Sequence, residues 1–381
     1  MFLTSKRQPQ MSNDFNEVIA RLSQNYVSND TGVAVSDRSA LRQTTVYACV
    51  RIISEIIAQL PLDVQLRQNG TWVTAEDHRV NRVLAEPNEW QTQHDFMQFL
   101  VSWAEISGDS YYYKLFNGAR EVAGLIPIES TGVSPNLHNT MSVHYDVTTD
   151  YGVNGRYLND RILHHRNFGT EGYRGLSTIR AHSRGIGLAI QLESHAVNSY
   201  KNGLQSKKWL ELEDDLTEEQ EADLKTFLAS FSGAENTGKI PYFTGATLHD
   251  IGSMSSVDAQ YIETRKLQLQ QIAANFGVPL FMLNDTENSA TWGSGLERIS
   301  RAFVRFSLYP RLNRIKQMLH REFIRPGAKR STRINFDTDQ FTLGEFKDRM
   351  EGYKAGRESG EINPNEASGK ERRNRRDGGE A

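Results

Sequence analysis

The chain of 381 residues contains a single cysteine, Cys49. No disulfide can close within it, and zinc sites built from cysteine pairs are excluded. Apolar residues never run for the roughly 18 positions that a membrane-spanning helix needs. The opening MFLTSKRQPQ has neither the apolar core nor the small-residue cleavage site of a secretion signal. These absences predict a soluble chain made in the cytoplasm, with Cys49 as a small buried apolar group. The two commonest hydrolase signals are missing as well, since no Gly-x-Ser-x-Gly elbow and no His-Glu-x-x-His pair occurs.

The weaker signals for chemistry fail when their geometry is worked out. Gly233, Gly238 and Lys239 have the spacing of a phosphate-binding loop, but Ile240 stands where a Ser or Thr must hold magnesium, and Pro241 follows. His164 and His165 are adjacent in a strand-like segment, so their side chains leave opposite faces and do not chelate one ion. Gly185 and Gly187 lack the third glycine of a dinucleotide fold and lie in a helical pattern. No catalytic residue, metal or cofactor is assigned, and the chain reads as a non-enzyme.

What is present is a helix-and-strand pattern with segregated charge. A hydrophobic content of 38% suffices for a core. The net charge of -3 conceals an acidic run at 211–223, with eight acids and no base, and a basic run at 296–333, with eleven bases against Glu297 and Glu322. Residues 1–43 lack periodicity and predict a loosely held arm. At 44–60, Val46, Cys49, Val50, Ile53, Ile57 and Leu60 recur at helical spacing up to Pro61. The stretch 62–75 then alternates around Asn69-Gly70, the signature of a tight hairpin.

Helices are predicted at 78–84 and 91–107, and strands across 111–168, where aromatic and β-branched residues are broken by Gly, Asn and Pro. Long helices follow at 176–202 and 257–276, the second with a capping-box-like start at Ser255 and Asp258. Between them lies the acidic insert, with strands near 209–213, 239–243 and 247–251 and a helix at 217–231. Residues 278–295 read as a long polar loop, and such loops are functional or disordered in compact domains. The basic helix at 296–324 contains Pro310, which predicts a kink. One or two short helices are expected within 341–367, and the basic tail after 367 reads as disordered. The fold class is α+β.

Several stretches resemble the portal protein family of tailed bacteriophages, in the branch with long non-contractile tails. They are TTVYACVRIISEIIAQLPLDVQLR with its NG turn, HRVNRVLAEPNEWQTQHDFMQFLVSWAEISGDSYYYKLFNGAREVAGLIPI, ILHHRNFGTEGYRGLSTIRAHSRGIGLAIQLESHAVNSYKNG, SMSSVDAQYIETRKLQLQQIAANFGVPLFML and INPNEA. They follow the family's order from 44 to 367. The resemblance implies a phage portal fold, with an arm at 1–43, a wing at 44–175, and stem helices at 176–202 and 253–277. It further implies a clip at 203–252, a tunnel loop at 278–295, a wing return helix at 296–340 and a crown at 341–367. The tail at 368–381 departs from the family pattern, which has a short apolar ending where this chain has Lys370, Arg372, Arg373, Arg375 and Arg376.

The function implied is a ring, dodecameric in the virion, at one capsid vertex assembled in the bacterial cytoplasm. Double-stranded DNA would pass through it without sequence recognition, and its partners would be the terminase large subunit, the major capsid protein and a head-tail connector. The tunnel loop would present Asn284, Asp285, Thr286, Glu287, Asn288, Ser289, Thr291 and Trp292 to DNA. The clip would present Trp209, Glu211, Glu213, Asp214, Asp215 and Glu218 to the motor or connector. Carboxylates facing a channel repel phosphates and let DNA slide. The alternatives are another ring-forming head-tail connector, or a nuclease using scattered carboxylates with magnesium.

Overall fold

The computed structural model describes residues 34–138, 142–202, 208–212, 217–230, 246–250, 255–284, 294–338 and 346–370. The described residues begin inside the segment read as an arm. Helix α1 (Asp37–Leu41) forms because Ser36 and Ser39 close a capping box, and Val35 and Ala40 are buried beside it. Helix α2 (Thr44–Ala58) buries the expected stripe of Val46, Cys49, Val50, Ile53 and Ile57. Burial pushes the Cys49 thiol up to about 12, and nearby Glu105 adds to the shift, so this cysteine is an inert packing group.

Strands β1 (Leu62–Gln68) and β2 (Thr71–Thr74) turn at Asn69 and Gly70, with φ of 50° and 86°. This is the mirror-type turn that matches strand twist. Helix α3 (Arg79–Ala85) leads to α4 (Gln93–Ser107), which a Thr92–Asp95 capping box opens and Gly108, at φ 89°, closes. Next come β3 (Asp109–Phe116), β4 (Val122–Ile128), β5 (Val133–Leu137), β6 (Val143–Val147), β7 (Gly155–Leu158) and β8 (Ile162–Arg166). They form two antiparallel sheets with strand orders β4-β3-β8 and β5-β6-β7.

The single long helix expected at 176–202 is instead two. Helix α5 (Thr178–Ala181) ends at His182, whose backbone leaves the helical region, and α6 (Ser183–Asn202) starts afresh. The break has a packing cause. Ser177 both caps α5 and donates to the carbonyl of Ile106, so α5 is laid against α4, whereas α6 packs on the later helix α8.

Strand β9 (Lys208–Leu212), helix α7 (Glu218–Ser230) and strand β10 (Ala246–Asp250) follow, with β9 and β10 antiparallel. The strand expected near 239–243 lies outside the described residues. Helix α8 (Ser255–Phe276) begins at Ser255, so that serine sits inside the helix and does not precede it.

Helix α9 (Ser294–Phe303) passes through a π-helical turn (Val304–Leu308) into α10 (Tyr309–Phe323). The interruption lies just before Pro310, which has no N–H and whose ring crowds the preceding turn. Strand β11 (Thr332–Phe336), which the sequence reading missed, joins β1 in the sheet β11-β1-β2. It buries Thr332, Ile334 and Phe336 on one face. Helices α11 (Phe346–Glu358) and α12 (Pro364–Lys370) complete the described residues, α12 running three residues into the tail expected to be disordered.

Most buried apolar residues form one core that runs from α2, α4 and β1 through α8 to α10 and β11. A smaller core around Tyr111, Ile128, Tyr145, Val147 and Ile162 lies between the two sheets of β3–β8. Strand β8 is therefore buried on both faces, with α10 on one side and the second sheet on the other.

Candidate functional site

The residues expected to touch DNA lie between α8 and α9. At the near end, α8 stops at Gly277, whose φ of 70° is left-handed, and the amides of Gly277 and Val278 donate to Ala274 and Ala273. A short 3-10 turn (Leu280–Leu283) then ends at Asn284, exposed and left-handed at φ 61°. Asp285, Thr286, Glu287, Asn288, Ser289, Thr291 and Trp292 lie outside the described residues, and the chain resumes at Ser294 in α9.

Of the residues expected in the clip, Trp209 and Glu211 lie in β9, in register with His249 and Thr247 of β10. Glu218 is the first residue of α7, which Thr217 caps by accepting from the amide of Gln220. Glu213, Asp214 and Asp215 fall outside the described residues. Along α7, Glu219, Glu221 and Asp223 are exposed, and among the described residues Glu221 is the one of these with an ion pair, to Lys225 at 2.6 Å. The Gly233–Lys239 stretch also lies outside the described residues. Among the described residues no cluster of His, Cys, Asp or Glu could hold a metal ion, and no helix is long and apolar enough to cross a membrane.

What ties the loop-bearing helices to the rest of the chain is a buried joint that sequence reasoning did not find. Arg311 donates through Nε and Nη2 to the two oxygens of Glu105, at 2.7 and 3.1 Å. Nη2 also donates to the carbonyl of Phe276, the last residue of α8, at 3.0 Å. Nη1 donates to the carbonyl and hydroxyl of Ser307 in the π turn, at 2.8 and 2.9 Å. All the N–H bonds of the guanidinium are thereby used, which suits a planar fork on a two-oxygen acceptor. One side chain fixes α4, the end of α8 and the start of α10 relative to each other. The hint in the sequence was Glu105, a charge on the apolar side of α4, but nothing local names a partner so distant along the chain.

A second buried network holds the entrance to α6. His164 donates from Nε2 to Asp109 Oδ1 at 2.7 Å, because a carboxylate can only accept. Its Nδ1 then accepts from the Tyr145 hydroxyl at 3.1 Å. The same carboxylate oxygen accepts from the Gly175 amide at 2.8 Å. Burial holds the His164 pKa below its ordinary value, so the ring is neutral. Burial also pushes His165 down to about 3, with His164, Arg314 and Arg166 adding to the effect. The two histidines are thus packed structural groups, in line with their opposite-face geometry. Lys114 and Glu322 form a third buried pair at 2.8 Å, between β3 and α10.

Comparison with known proteins agrees with this architecture. A profile of the phage portal protein family matches residues 44–371. The portal protein of Enterobacteria phage HK97 is 26% identical over 86% of this chain and 78% of its own length. The probable portal protein of Streptomyces phage phiC31 is 28% identical over 87% of this chain and 74% of its own. Among solved structures, the neck of an empty gene transfer agent particle, computed with C6 symmetry, has a chain that aligns at a TM-score of 0.64 and 20% identity. That alignment covers 92% of this chain and 96% of that one. An HK97-family phage portal protein from Corynebacterium diphtheriae aligns at a TM-score of 0.59 and 14% identity, over 80% of this chain and 96% of that one. With a match that runs from α2 through the sheets of β3–β8 to α12, the chain belongs to the phage portal protein family.

Proposed function

We propose that this chain is the subunit of a closed ring, dodecameric in the virion, through which double-stranded DNA enters and leaves a phage capsid. The observation that carries the reading is the collinear family match over 44–371, joined to a fold shared with an HK97-family phage portal protein over 80% of the chain. The wing would comprise 44–175, the stem α6 with α8, the clip β9 through β10, and the crown α11 with α12. The exposed carboxylates of α7 belong to the clip on this reading, where they face the terminase large subunit during packaging and a head-tail connector afterwards. The major capsid protein would hold the wing. Negative charge at the channel mouth leaves DNA without adhesive contacts, as sliding requires.

Apolar residues left uncovered on both stem helices support assembly, namely Leu188 and Val197 on α6 and Ile262 and Leu267 on α8. A ring of identical subunits uses head-to-tail contacts, so two different faces of each subunit must match. Multi-angle light scattering with negative-stain imaging tests the proposal. Rings with a mass of about twelve subunits are expected, and a monomer that persists at high concentration without rings would overturn it.

A further inference from the structure

Helices α9 and α11 have few extensive contacts with other elements among the described residues, and each carries one exposed stripe of charge, opposite in sign on the two. The main contact of α9 within the chain is the π turn that follows it. A ten-residue helix is too short to be stable in water without packing. Yet Ile299 is 45% exposed and Phe306, in the π turn, 73% exposed, while Phe303, Val304 and Leu308 face the core. Beside this apolar edge Arg298, Ala302 and Arg305 are exposed at spacings of four and three, which places them on one stripe. Neither arginine has an ion pair among the described residues. Helix α11 repeats the pattern with the sign reversed, as Glu351, Ala355 and Glu358 are exposed at the same spacings of four and three. Only Glu358 has a local cation, Lys354 at 3.9 Å. The helices do not pack extensively on each other within one chain.

We propose that in the ring the Arg298–Ala302–Arg305 stripe, which runs along α9 into the π turn, docks against the Glu351–Ala355–Glu358 stripe of α11 on the neighbouring copy. The inference rests on the ring reading above and names the faces that close it. Equal spacing brings each arginine opposite a glutamate, and the alanine between each pair lets the helices approach closely. Ile299 and Phe306 are covered at the edge of the contact. The faces differ, so the contact is head-to-tail, as a cyclic ring demands. The path of the chain agrees, because Tyr309, just after the π turn, bonds Thr338 at 3.1 Å shortly before α11 begins. The start of α10 and the chain eight residues before α11 are therefore held together.

Charge reversal on each face tests this. The variant Arg298→Glu/Arg305→Glu and the variant Glu351→Arg/Glu358→Arg each bring like charges together. Each should raise the concentration at which rings form by about tenfold or more at low salt, where surface charges are least screened. Circular dichroism should show an unchanged fold, since all four sites are exposed. The deciding arm is an equimolar mixture of the two variants. In an alternating ring every contact pairs opposite charges again, so the mixture should restore rings that neither variant forms alone. A contact within one chain could not be rescued by mixing. Reversals that leave ring formation unchanged, or a mixture no better than its components, would overturn the proposal while wild-type rings keep the ring reading intact. Wild-type chains that never form rings would remove both.

Discussion

At the scale of single residues, the side chains that matter most are buried charges and neutral histidines. Arg311 and Glu105 are 17% and 2% exposed, so removing one leaves the other charged and unpaired in the core. Breaking such a pair costs about 3–5 kcal/mol. Glu105→Ala should lower stability by that amount in urea unfolding, and Arg311→Lys should recover little of the wild-type stability, because an ammonium cannot serve both glutamate oxygens and two carbonyls. A loss under about 1 kcal/mol for either variant would show that the joint is solvated. His165 gives a prediction in pH. Its folded pKa of about 3 lies below the value near 6.5 of an unfolded chain, so between these values the unfolded state binds the extra proton. The stability tied to a neutral His165 is therefore complete above pH 6.5 and falls as pH drops toward 3, by up to about 1.4 kcal/mol per unit. The urea midpoint of His165→Gln should depend less on pH between 6.5 and 4.5 than that of wild type. Parallel curves would count against a buried neutral ring.

At the scale of elements, the ends and breaks of helices decide where the long connections go. Gly277 closes α8 at φ 70°, and a β-carbon there would stand 2.7 Å from the Ser307 hydroxyl oxygen, which Arg311 already binds. Gly277→Ala should therefore cost more than the roughly 1–2 kcal/mol of left-handed backbone strain alone. Its check is a thermal melt, in which a shift of less than a degree would show that the α8 end adapts freely. This junction also shows how much the sequence could reveal. Gly277 with Pro279 announced the end of α8, Asn69-Gly70 announced the hairpin, and the apolar stripes of α2 and α4 were plain, because each signal lies within a few residues. The helix at 176–202 was overestimated because its break at His182 depends on α4, far away in sequence. The π turn was foreseen only as a kink at Pro310. Strand β11 was missed because five alternating residues after a basic helix carry little signal until β1 is there to pair with them. The buried pairs Arg311–Glu105 and Lys114–Glu322 were out of reach for the same reason, since sequence gives charges but not which distant ones meet.

At the scale of the whole molecule, the segment expected to meet DNA joins two helices whose ends are set elsewhere in the fold. The joint at Arg311 locks the end of α8 to the body, and the π turn fixes where α9 leaves it, so both anchors of the segment 285–293 are set by buried contacts. That segment reads DTENSATWG, with two acids, no Lys or Arg, and a single large apolar residue, Trp292. It has little apolar surface to add to a core, and its negative charge gives phosphates nothing to grip. On the proposed reading it meets moving DNA at the channel wall, while ring stability resides in the helices. Deleting residues 285–291 should then leave rings of wild-type mass that still enter proheads. The same particles should package or retain DNA poorly, measured as the genome content of purified heads against wild type. The deletion removes neither Gly277 nor the Arg311 contacts, so a folding defect is not expected from it. Loss of rings would mean that the segment is part of the subunit contact, and unchanged phage yield would mean that it does not meet DNA at all.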